Sequence, residues 1–291
     1  MTTDTTAPIS LGALLAELTA NLESGGVALA RDEARDIVAA VLDVPRFWPI
    51  TNRDALVDAT AVDEARRAAV MRAKGAPFAY AVGRAAFRHL TLAVDPRVLI
   101  PRQETEVLID LVLEAEDGGR GTVVDVGTGS GAIALALATE GHFDRVIATD
   151  VSRDALAVAE ANAVFLRDDL RAPVDFLHGS RLAPVRDLRV STVVSNPPYI
   201  AFGELEELPP SVRDWEPPLA LLSAEQGLAT TRAIIREARS VLDPGGLIAC
   251  EVDTRRASLV AEALAADGGY RDVSVHLDLT GRERFVLGRR I

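Results

Sequence analysis

The feature that most limits the fold is a regular alternation of short apolar strands and helices from Thr122 onward. The segments TVVDV, RVIATD, VDFLH and VSTVVS are predicted strands, because they are short and rich in β-branched residues. Helical patterns such as AIALALAT and RDALAVAEANAVF separate them, and the strands LIACEV, DVSVHL and RFVLGR follow later. This alternation predicts an α/β fold, with a mainly parallel sheet covered by helices on both faces.

The first part of the chain has a helical pattern instead. Leucines recur at helical spacing in LGALLAELTANL, and RDEARDIVAAVLDV and VDEARRAAVMRAKG repeat the pattern. Ser10 is the expected N-cap of the first helix, while Pro45 and Gly75 are expected to end the second and third. We predict a small helical bundle without strands here, followed by a short β-hairpin near residues 84–102.

Charge and cysteine content limit the classes of function. The 291 residues carry a formal net charge of −12, which argues against broad nucleic-acid binding, because such binding needs clustered Lys and Arg. Cys250 is the single cysteine, which excludes an intramolecular disulfide and fits a reducing compartment. The start MTTDTTAPIS lacks the features of a signal peptide, and the longest apolar run, AIALALA, is too short to span a bilayer. We therefore expect a cytoplasmic protein with no membrane association.

A glycine-rich loop follows the first strand of the alternating region. VVDVGTGSG places Gly127, Gly129 and Gly131 before a helix, so the backbone can turn tightly and approach a ligand. Asp150 ends the second strand, where a carboxylate can accept hydrogen bonds from both hydroxyls of a ribose. The spacing is not the G-x-G-x-x-G of dinucleotide sites, and Asp125 beside the loop disfavours a pyrophosphate. The pattern favours S-adenosylmethionine, which carries a cationic amino group, over a loop that only joins two elements.

The tetrapeptide Asn196-Pro197-Pro198-Tyr199 closes the fourth strand of the alternating region. Ligands of open α/β sheets bind at the carboxyl ends of strands, so this tetrapeptide is expected to lie near the glycine loop. The Asn196 carbonyl and the backbone carbonyl of Pro197 would offer two acceptors at a spacing that Pro198 makes rigid. Two acceptors fit a planar –NH2 group, and Tyr199 can pack on the flat group that carries it.

The chemistry that such a site suggests is methylation of an amide or aromatic amine nitrogen. This nitrogen is a poor nucleophile, because its lone pair is delocalised. Two acceptors would aim it at the methyl group and favour the positive charge that develops on it. Since a sulfonium methyl donor is already activated, no strong general base is required, and the motif contains none.

Several motifs together resemble the release factor glutamine methyltransferases, known as HemK or PrmC proteins. The resemblance covers nearly the whole chain, in the order PFAYAVGRAAF, VLIPRQETEVLID, DVGTGSGAIALALA, ATDVSRDALAVAEANA, VVSNPPYI, EPPLALLSAEQGL, LDPGGLIACEV and GRERFVLG. It implies methyl transfer from S-adenosylmethionine to the side-chain amide nitrogen, N5, of the glutamine in the Gly-Gly-Gln motif of class 1 peptide chain release factors. It also implies three regions: a helical domain for release-factor recognition at 1–83, a β-hairpin linker at 84–102, and a Rossmann-like class I methyltransferase domain with a seven-stranded sheet at 103–291.

The resemblance also implies site residues. Asn196, Pro197, Pro198 and Tyr199 would be catalytic and bind the glutamine, and the cofactor would contact Gly127, Thr128, Gly129, Ser130, Gly131, Asp150, Arg181 and Asn196. There are two departures from the family pattern. Ser180 and Arg181 stand where the family has an Asp and an aromatic residue near the adenine, although a guanidinium can stack on a ring. Gln103 replaces a Pro.

Other functions remain open on the sequence alone. A sister enzyme that methylates a ribosomal-protein glutamine shares the tetrapeptide. An adenine-N6 methyltransferase of DNA or RNA presents the same acceptors to a flipped base. A cofactor-sensing binding module would not need the tetrapeptide, and a nucleotide hydrolase would need a phosphate-binding loop that is absent. We expect a monomer that acts on release factors, without a metal and without direct nucleic-acid binding.

Overall fold

Two units make up the part of the chain that the computed structural model describes, residues 9–291. The first unit runs to Arg84 and also includes Pro210–Trp215, whereas the second comprises Ala85–Pro209 and Glu216–Ile291. The expectation of no signal peptide concerns mostly residues 1–8, which lie outside the described part. Among the described residues, no helix is both long and apolar enough to cross a membrane.

The first unit is mainly helical. Its elements are β1 (Ile9–Ser10), α1 (Leu11–Ser24), α2 (Ala30–Leu42), α3 (Trp48–Thr51), β2 (Leu56–Val57), α4 (Ala59–Ala73), α5 (Phe78–Val82) and, later in the chain, α9 (Pro210–Arg213). The Ser10 hydroxyl accepts a hydrogen bond from the Ala13 N–H at 3.3 Å, which confirms the predicted N-cap of α1.

Two expectations for this unit are wrong. β1 and β2 form an antiparallel pair in a region predicted to have no strand, because two residues are too few for an alternating pattern to show. The second helix ends at Leu42 rather than at Pro45, since Asp43 takes up a left-handed conformation that stops it.

The core of the helical unit explains its leucine pattern. Leu11, Leu14, Leu18 and Leu22 of α1 are all buried, and they belong to one cluster with apolar residues of α2 and α4. The end of α1 lies close to the end of α4. A Cβ on Gly25 would be only 2.5 Å from the Cβ of Ala73, so this position has no room for a side chain.

The second unit contains a seven-stranded sheet and a two-stranded one. The strands are β3 (Arg84–Phe87), β4 (Leu90–Ala93), β5 (Thr122–Val126), β6 (Arg145–Asp150), β7 (Val174–His178), β8 (Val190–Ser195), β9 (Leu242–Glu251), β10 (Tyr270–Leu277) and β11 (Glu283–Arg290). The helices are α6 (Gln103–Ala115), α7 (Ala132–Glu140), α8 (Arg153–Phe165), α10 (Pro218–Leu221), α11 (Ala224–Gly227), α12 (Ala229–Val241) and α13 (Ala257–Asp267). β3 and β4 pair within the predicted linker, whose limits stay a prediction.

The order of strands in the large sheet is β10-β11-β9-β8-β5-β6-β7. β9, β8, β5, β6 and β7 are parallel, while β10 and β11 pair antiparallel at one edge. This confirms the predicted seven-stranded, mostly parallel sheet. After β5 the chain runs outward through β6 and β7, and it then returns to the other side of β5 as β8. The carboxyl ends of β5 and β8 therefore form the switch point at which α/β sheets bind ligands.

Both faces of the large sheet are buried, which accounts for its apolar strands. Val123 belongs to a core cluster with residues of α6 and α7, whereas the next residue, Val124, belongs to a second cluster with residues of α12 and α13. Neighbouring residues of a strand point to opposite faces, so a strand covered by helices on both sides needs apolar residues at successive positions.

Candidate active site

The glycine loop leaves β5 in a conformation that other residues rarely adopt. Gly127, Gly129 and Gly131 have φ angles of 76°, 56° and 85°, and Gly131 is the N-cap of α7. A Cβ on Gly127 or Gly129 would meet no described atom within 4 Å, so the backbone conformation alone requires glycine at these two positions. The side chain of Asn162 accompanies the loop: its Nδ2 donates to the carbonyl of Ser130 at 2.9 Å and to that of Ala93 at 3.0 Å.

Asp125 lies buried beneath this loop. Its Oδ2 accepts hydrogen bonds from the Thr128 hydroxyl at 2.6 Å and from the Ala134 N–H at 3.2 Å, whereas its Oδ1 is buried without a partner among the described residues. Burial raises the pKa of the Asp125 carboxyl to about 7. A buried acceptor next to the loop would suit a ligand with a cationic group and oppose a pyrophosphate, and this preference stays a prediction.

Asp150 lies at the carboxyl end of β6, next to the glycine loop. One carboxylate oxygen accepts a hydrogen bond from the Gly129 N–H at 3.0 Å, and the other accepts from the Ser152 N–H at 2.8 Å. These two bonds fix the carboxylate beside the loop. Each oxygen has a second lone pair, so the group can also accept from a hydroxyl. The ribose role stays a prediction.

The tetrapeptide after β8 lies at the same edge of the sheet as the glycine loop. The hydroxyl of Ser195, directly before it, donates to the carbonyl of Val126, directly before the loop, at 2.7 Å. Asn196 is half-buried, Pro197 is buried, and Pro198 and Tyr199 are half-buried. The structure therefore brings together the two motifs that the sequence singled out.

Tyr199 borders a cavity of about 370 Å³ in the second unit. The cavity is lined by Arg102, Glu104, Tyr199, Ile200, Glu204, Glu207, Leu208, Glu251, Asp253, Arg255 and Arg284. Within residues 9–291 this lining includes neither Asn196 nor the glycine loop. Burial raises the pKa of the Tyr199 hydroxyl, and the nearby Glu251 carboxylate adds to the effect, so the phenol stays neutral at physiological pH.

A buried arginine connects three segments behind the tetrapeptide. Arg256 donates to the carbonyl of Gln226 at 2.6 Å, to Asp253 at 3.1 Å and to Glu204 at 2.7 Å. Glu204 also accepts from the Ala201 N–H at 2.9 Å. Glu204 lies in the 3-10 helix Phe202–Glu207, so the network holds the chain just after the tetrapeptide.

Arg181, the predicted adenine contact, is engaged with another residue. Its Nε lies 2.7 Å from a carboxylate oxygen of Glu237 on α12, and its backbone has a positive φ of 50°. The side chain is partly exposed, and its contact with a cofactor stays a prediction.

Two site residues were not assigned a role from the sequence. The Thr105 hydroxyl lies between Asn196, whose Nδ2 donates to it at 3.1 Å, and Glu251, to which it donates at 2.6 Å. The strand register places Asn196 beside Glu251, because Ser195 of β8 pairs with Cys250 of β9, and Asn196 and Glu251 are the residues that follow them. Thr105 reaches both from α6. The one sequence feature that could have indicated a role for Glu251 is its position as a single carboxylate at the end of the apolar run LIACE.

No group of three or more His, Cys, Asp or Glu side chains within residues 9–291 is arranged to hold a metal ion. Cys250 is fully buried in the sheet, and burial raises the pKa of its thiol to about 12. Its environment is that of a core residue.

Comparisons with known proteins identify the family of the chain. Residues 103–207 match the family model of the methyltransferase small domain, and residues 13–83 match that of the PrmC N-terminal domain. The release factor glutamine methyltransferase of Moorella thermoacetica is 39% identical over 283 residues, which cover 97% of this chain and 99% of the relative. That of Mycolicibacterium smegmatis is 41% identical over 94% of this chain and 95% of its own.

The chain belongs to the release factor glutamine methyltransferase family. This confirms the family that the ordered motifs predicted. Among solved structures, a methyltransferase from Pyrococcus furiosus superposes with a TM-score of 0.52 at 18% identity, covering 70% of this chain and 90% of that one. The hMettl16 catalytic domain, in complex with a 3′UTR hairpin, superposes with a TM-score of 0.55 at 18% identity, covering 83% and 84%. At such identity both show the class I methyltransferase fold alone.

Proposed function

We propose that the protein transfers a methyl group from S-adenosylmethionine to the side-chain amide nitrogen of the glutamine in the Gly-Gly-Gln motif of class 1 peptide chain release factors. The observation that carries this proposal is the hydrogen bond from Ser195 to Val126, because it joins the tetrapeptide to the glycine loop in a chain that matches the family over nearly its whole length.

The glycine loop and its carboxylates fit the cofactor. Bound there, S-adenosylmethionine would supply a methyl group already activated on a sulfonium. Gly127 and Gly129 leave the backbone open to a ligand, and the unpartnered Oδ1 of Asp125 favours a positive charge nearby. Asp150 would hold the ribose hydroxyls.

The tetrapeptide fits the substrate amide. The Asn196 Oδ1 and the Pro197 carbonyl would each accept one N–H of the glutamine, which turns the nitrogen towards the methyl group. The same acceptors stabilise the positive charge that develops as the N–C bond forms. Because the tetrapeptide contains no strong base, the proton that the methylated nitrogen loses passes to water. Tyr199, neutral at physiological pH, would pack on the amide plane.

Exposed apolar side chains on the helical unit favour a protein as the substrate. Leu29 and Leu56 are 66% and 69% exposed, and Phe47 is 62% exposed. Large apolar side chains at such exposure are common at protein interfaces. We assign release-factor recognition to the region 1–83, whose residues from 9 onward the structure describes.

The test is a methyl-transfer assay with isotope-labelled cofactor, analysed by mass spectrometry of the products. The candidates are a purified class 1 release factor, ribosomal protein extract and DNA, and the control is the same release factor with its Gly-Gly-Gln glutamine changed to alanine. We expect label on that glutamine and none in the control. Label on a ribosomal protein or on adenine instead would refute the substrate assignment.

Asn196→Ala tests the mechanism in the same assay. We expect kcat to fall by about 10²-fold, because one of two acceptors of the reacting group is lost. Cofactor affinity, measured by calorimetry, should change much less. A kcat close to the wild-type value would contradict the role of the carboxamide.

A further inference from the structure

The carboxamide of Asn196 is held by a buried chain of hydrogen bonds. Its Nδ2 donates to Thr105 Oγ1 at 3.1 Å, and the Thr105 hydroxyl donates to Glu251 Oε2 at 2.6 Å. Thr105 is 4% exposed and Glu251 is 1% exposed. The three residues come from three different elements, since Thr105 lies in the first turn of α6, Asn196 follows β8, and Glu251 ends β9.

The direction of these bonds depends on the ionisation of Glu251. An ionised carboxylate only accepts, so the Thr105 hydroxyl must donate to it and is left to accept from Asn196. Asn196 then has to present its NH2 to Thr105. The bond to Thr105 is the one polar contact that this side chain makes with residues 9–291, so Oδ1 is the amide atom that remains for a ligand.

We propose that Glu251 and Thr105 are positioning residues, which orient the Asn196 carboxamide so that its oxygen, and not its NH2, meets the substrate amide. This proposal rests on the proposed function and names two residues that the reaction needs beyond the tetrapeptide. A carboxamide turned by 180° would present donors to the N–H groups of a glutamine, and the site would repel the group it has to hold.

A second property of Glu251 supports a role beyond packing. Its Oε1 is buried and has no hydrogen-bond partner within residues 9–291. A half-satisfied buried carboxylate costs stability, and an apolar residue at the end of β9 would avoid that cost. A purely structural hydrogen bond between Thr105 on α6 and Glu251 on β9 would explain why Oε2 has a partner. It would not explain why an ionisable residue, with Oε1 unpartnered, stands at this position.

The charges around Glu251 make its ionisation accessible to experiment. Burial raises the pKa of the Glu251 carboxyl to about 7, and the Thr105 hydrogen bond opposes this rise. The ionisable groups that face it are Arg102 and Glu104 before and on α6, Tyr199 of the tetrapeptide, Asp253 after β9 and Arg284 on β11. The two arginines lower this pKa and Glu104 raises it.

The first experiment observes Asn196 directly and needs no substrate. The chain contains four asparagines, so selective ¹⁵N-asparagine labelling gives four pairs of side-chain amide signals, and loss of one pair in Asn196→Asp identifies the pair of Asn196. We expect one Asn196 amide proton to exchange with solvent about tenfold more slowly in the wild type than in Thr105→Val, with Thr105→Ser close to the wild type. The signal should also shift with pH around 7 in the wild type and not in Glu251→Gln.

The second experiment measures kinetics with the same variants of the full chain. Thr105→Val should lower kcat by about 10- to 100-fold, because the acceptor is no longer fixed, while cofactor affinity stays at the wild-type value. Thr105→Ser restores the hydroxyl and should restore kcat. The kcat of the wild type should rise with pH as Glu251 ionises, and this rise should be smaller in Glu251→Gln, in which Asp125 still has a pKa of about 7.

Three results would overturn the proposal: unchanged exchange in Thr105→Val, a serine variant as impaired as the valine variant, or a pH-dependent shift of the Asn196 amide signal that survives in Glu251→Gln. If the valine variant does not fold, the serine and glutamine variants still decide. A wild type that shows the protected, titrating amide but does not methylate a release factor would count against the proposed function alone.

Discussion

The buried Asp125 carboxyl makes a specific contribution to stability. Its pKa is raised from the ordinary 3.8 to about 7 in the folded protein, mainly by burial. Between these values the folded state holds a proton that the unfolded state has lost. The contribution of Asp125 to stability is therefore complete at low pH and is lost as the pH rises from about 4 through about 7.

Asp125→Asn removes this dependence. We expect the free energy of unfolding of the asparagine variant, relative to that of the wild type, to increase from pH 4 to about pH 7 and to be constant above it. Urea unfolding of both proteins across this range measures the difference, and the contribution of Glu251, present in both, cancels. Parallel curves for the two proteins would show that Asp125 titrates in its ordinary range.

Site residues that lie within one sequence motif were predictable, whereas residues that come together only in the tertiary structure were not. Asn196 and the three loop glycines were recognisable, because local backbone constraints and side-chain chemistry fall within a few residues. Thr105 and Glu251 are 146 residues apart, and only the packing of α6 against β9 brings them into contact. The burial that raises the pKa of Asp125 has the same origin, since it requires the assembled sheet and α7.

The segment α11 (Ala224–Gly227), which is a turn before α12 rather than a regular helix, supports the tetrapeptide from behind. Gly227 has a φ of 87°, and a Cβ at this position would lie 2.1 Å from the carbonyl oxygen of Tyr199 and 2.6 Å from Nε of Arg256. The turn and the tetrapeptide therefore cannot both keep their places if residue 227 carries a side chain. The preceding residues, Glu225 and Gln226, also have positive φ angles, so the turn is unusual over its whole length.

Gly227→Ala should consequently be far more harmful than the same change at Gly268. Gly268 ends α13 with a φ of 72°, and a Cβ at this position would have no described atom within 4 Å, so Gly268→Ala adds only the left-handed strain, about 1–2 kcal/mol. Gly227→Ala adds the same strain and also displaces Tyr199, so we expect a larger loss of unfolding free energy together with a fall in kcat. Urea unfolding and the methyl-transfer assay test both; equal effects of the two changes would contradict the steric argument.

Elements with a long periodic pattern were predictable, and those defined by a few backbone angles were not. The parallel strands follow from short segments rich in β-branched residues, and the helices between them follow from apolar residues at helical spacing. The left-handed residues Glu225 and Gln226 lie in a stretch whose pattern resembles the start of a helix, since nothing in their side chains indicates a turn. The same holds for the two-residue strands β1 and β2.

Across the whole molecule, the change from helical to alternating periodicity separates the two units in the sequence. The segment Pro210–Trp215 groups with the helical unit although it follows the tetrapeptide in the chain. No local pattern could predict this, because the segment is short and its grouping depends on long-range contacts. The helical unit therefore contains one segment that precedes the glycine loop in the chain and one that follows it.

The proposed assignment of release-factor recognition to the helical unit predicts separate effects on KM and kcat. Leu29→Ser combined with Leu56→Ser removes two exposed apolar side chains from the helical unit, and serine suits residue 29, the N-cap of α2, which lacks a side-chain cap bond. We expect KM for a full release factor to rise about tenfold, as for loss of a substantial contact, while the kinetics with a short Gly-Gly-Gln peptide stay unchanged. The control is Leu279→Ser, which removes a side chain 90% exposed on the other unit and should alter neither substrate. A short peptide does not contact Leu29 or Leu56, so loss of their side chains cannot weaken its binding. If the double variant reduced methylation of the peptide and of the full release factor equally, the helical unit would therefore affect catalysis rather than recognition.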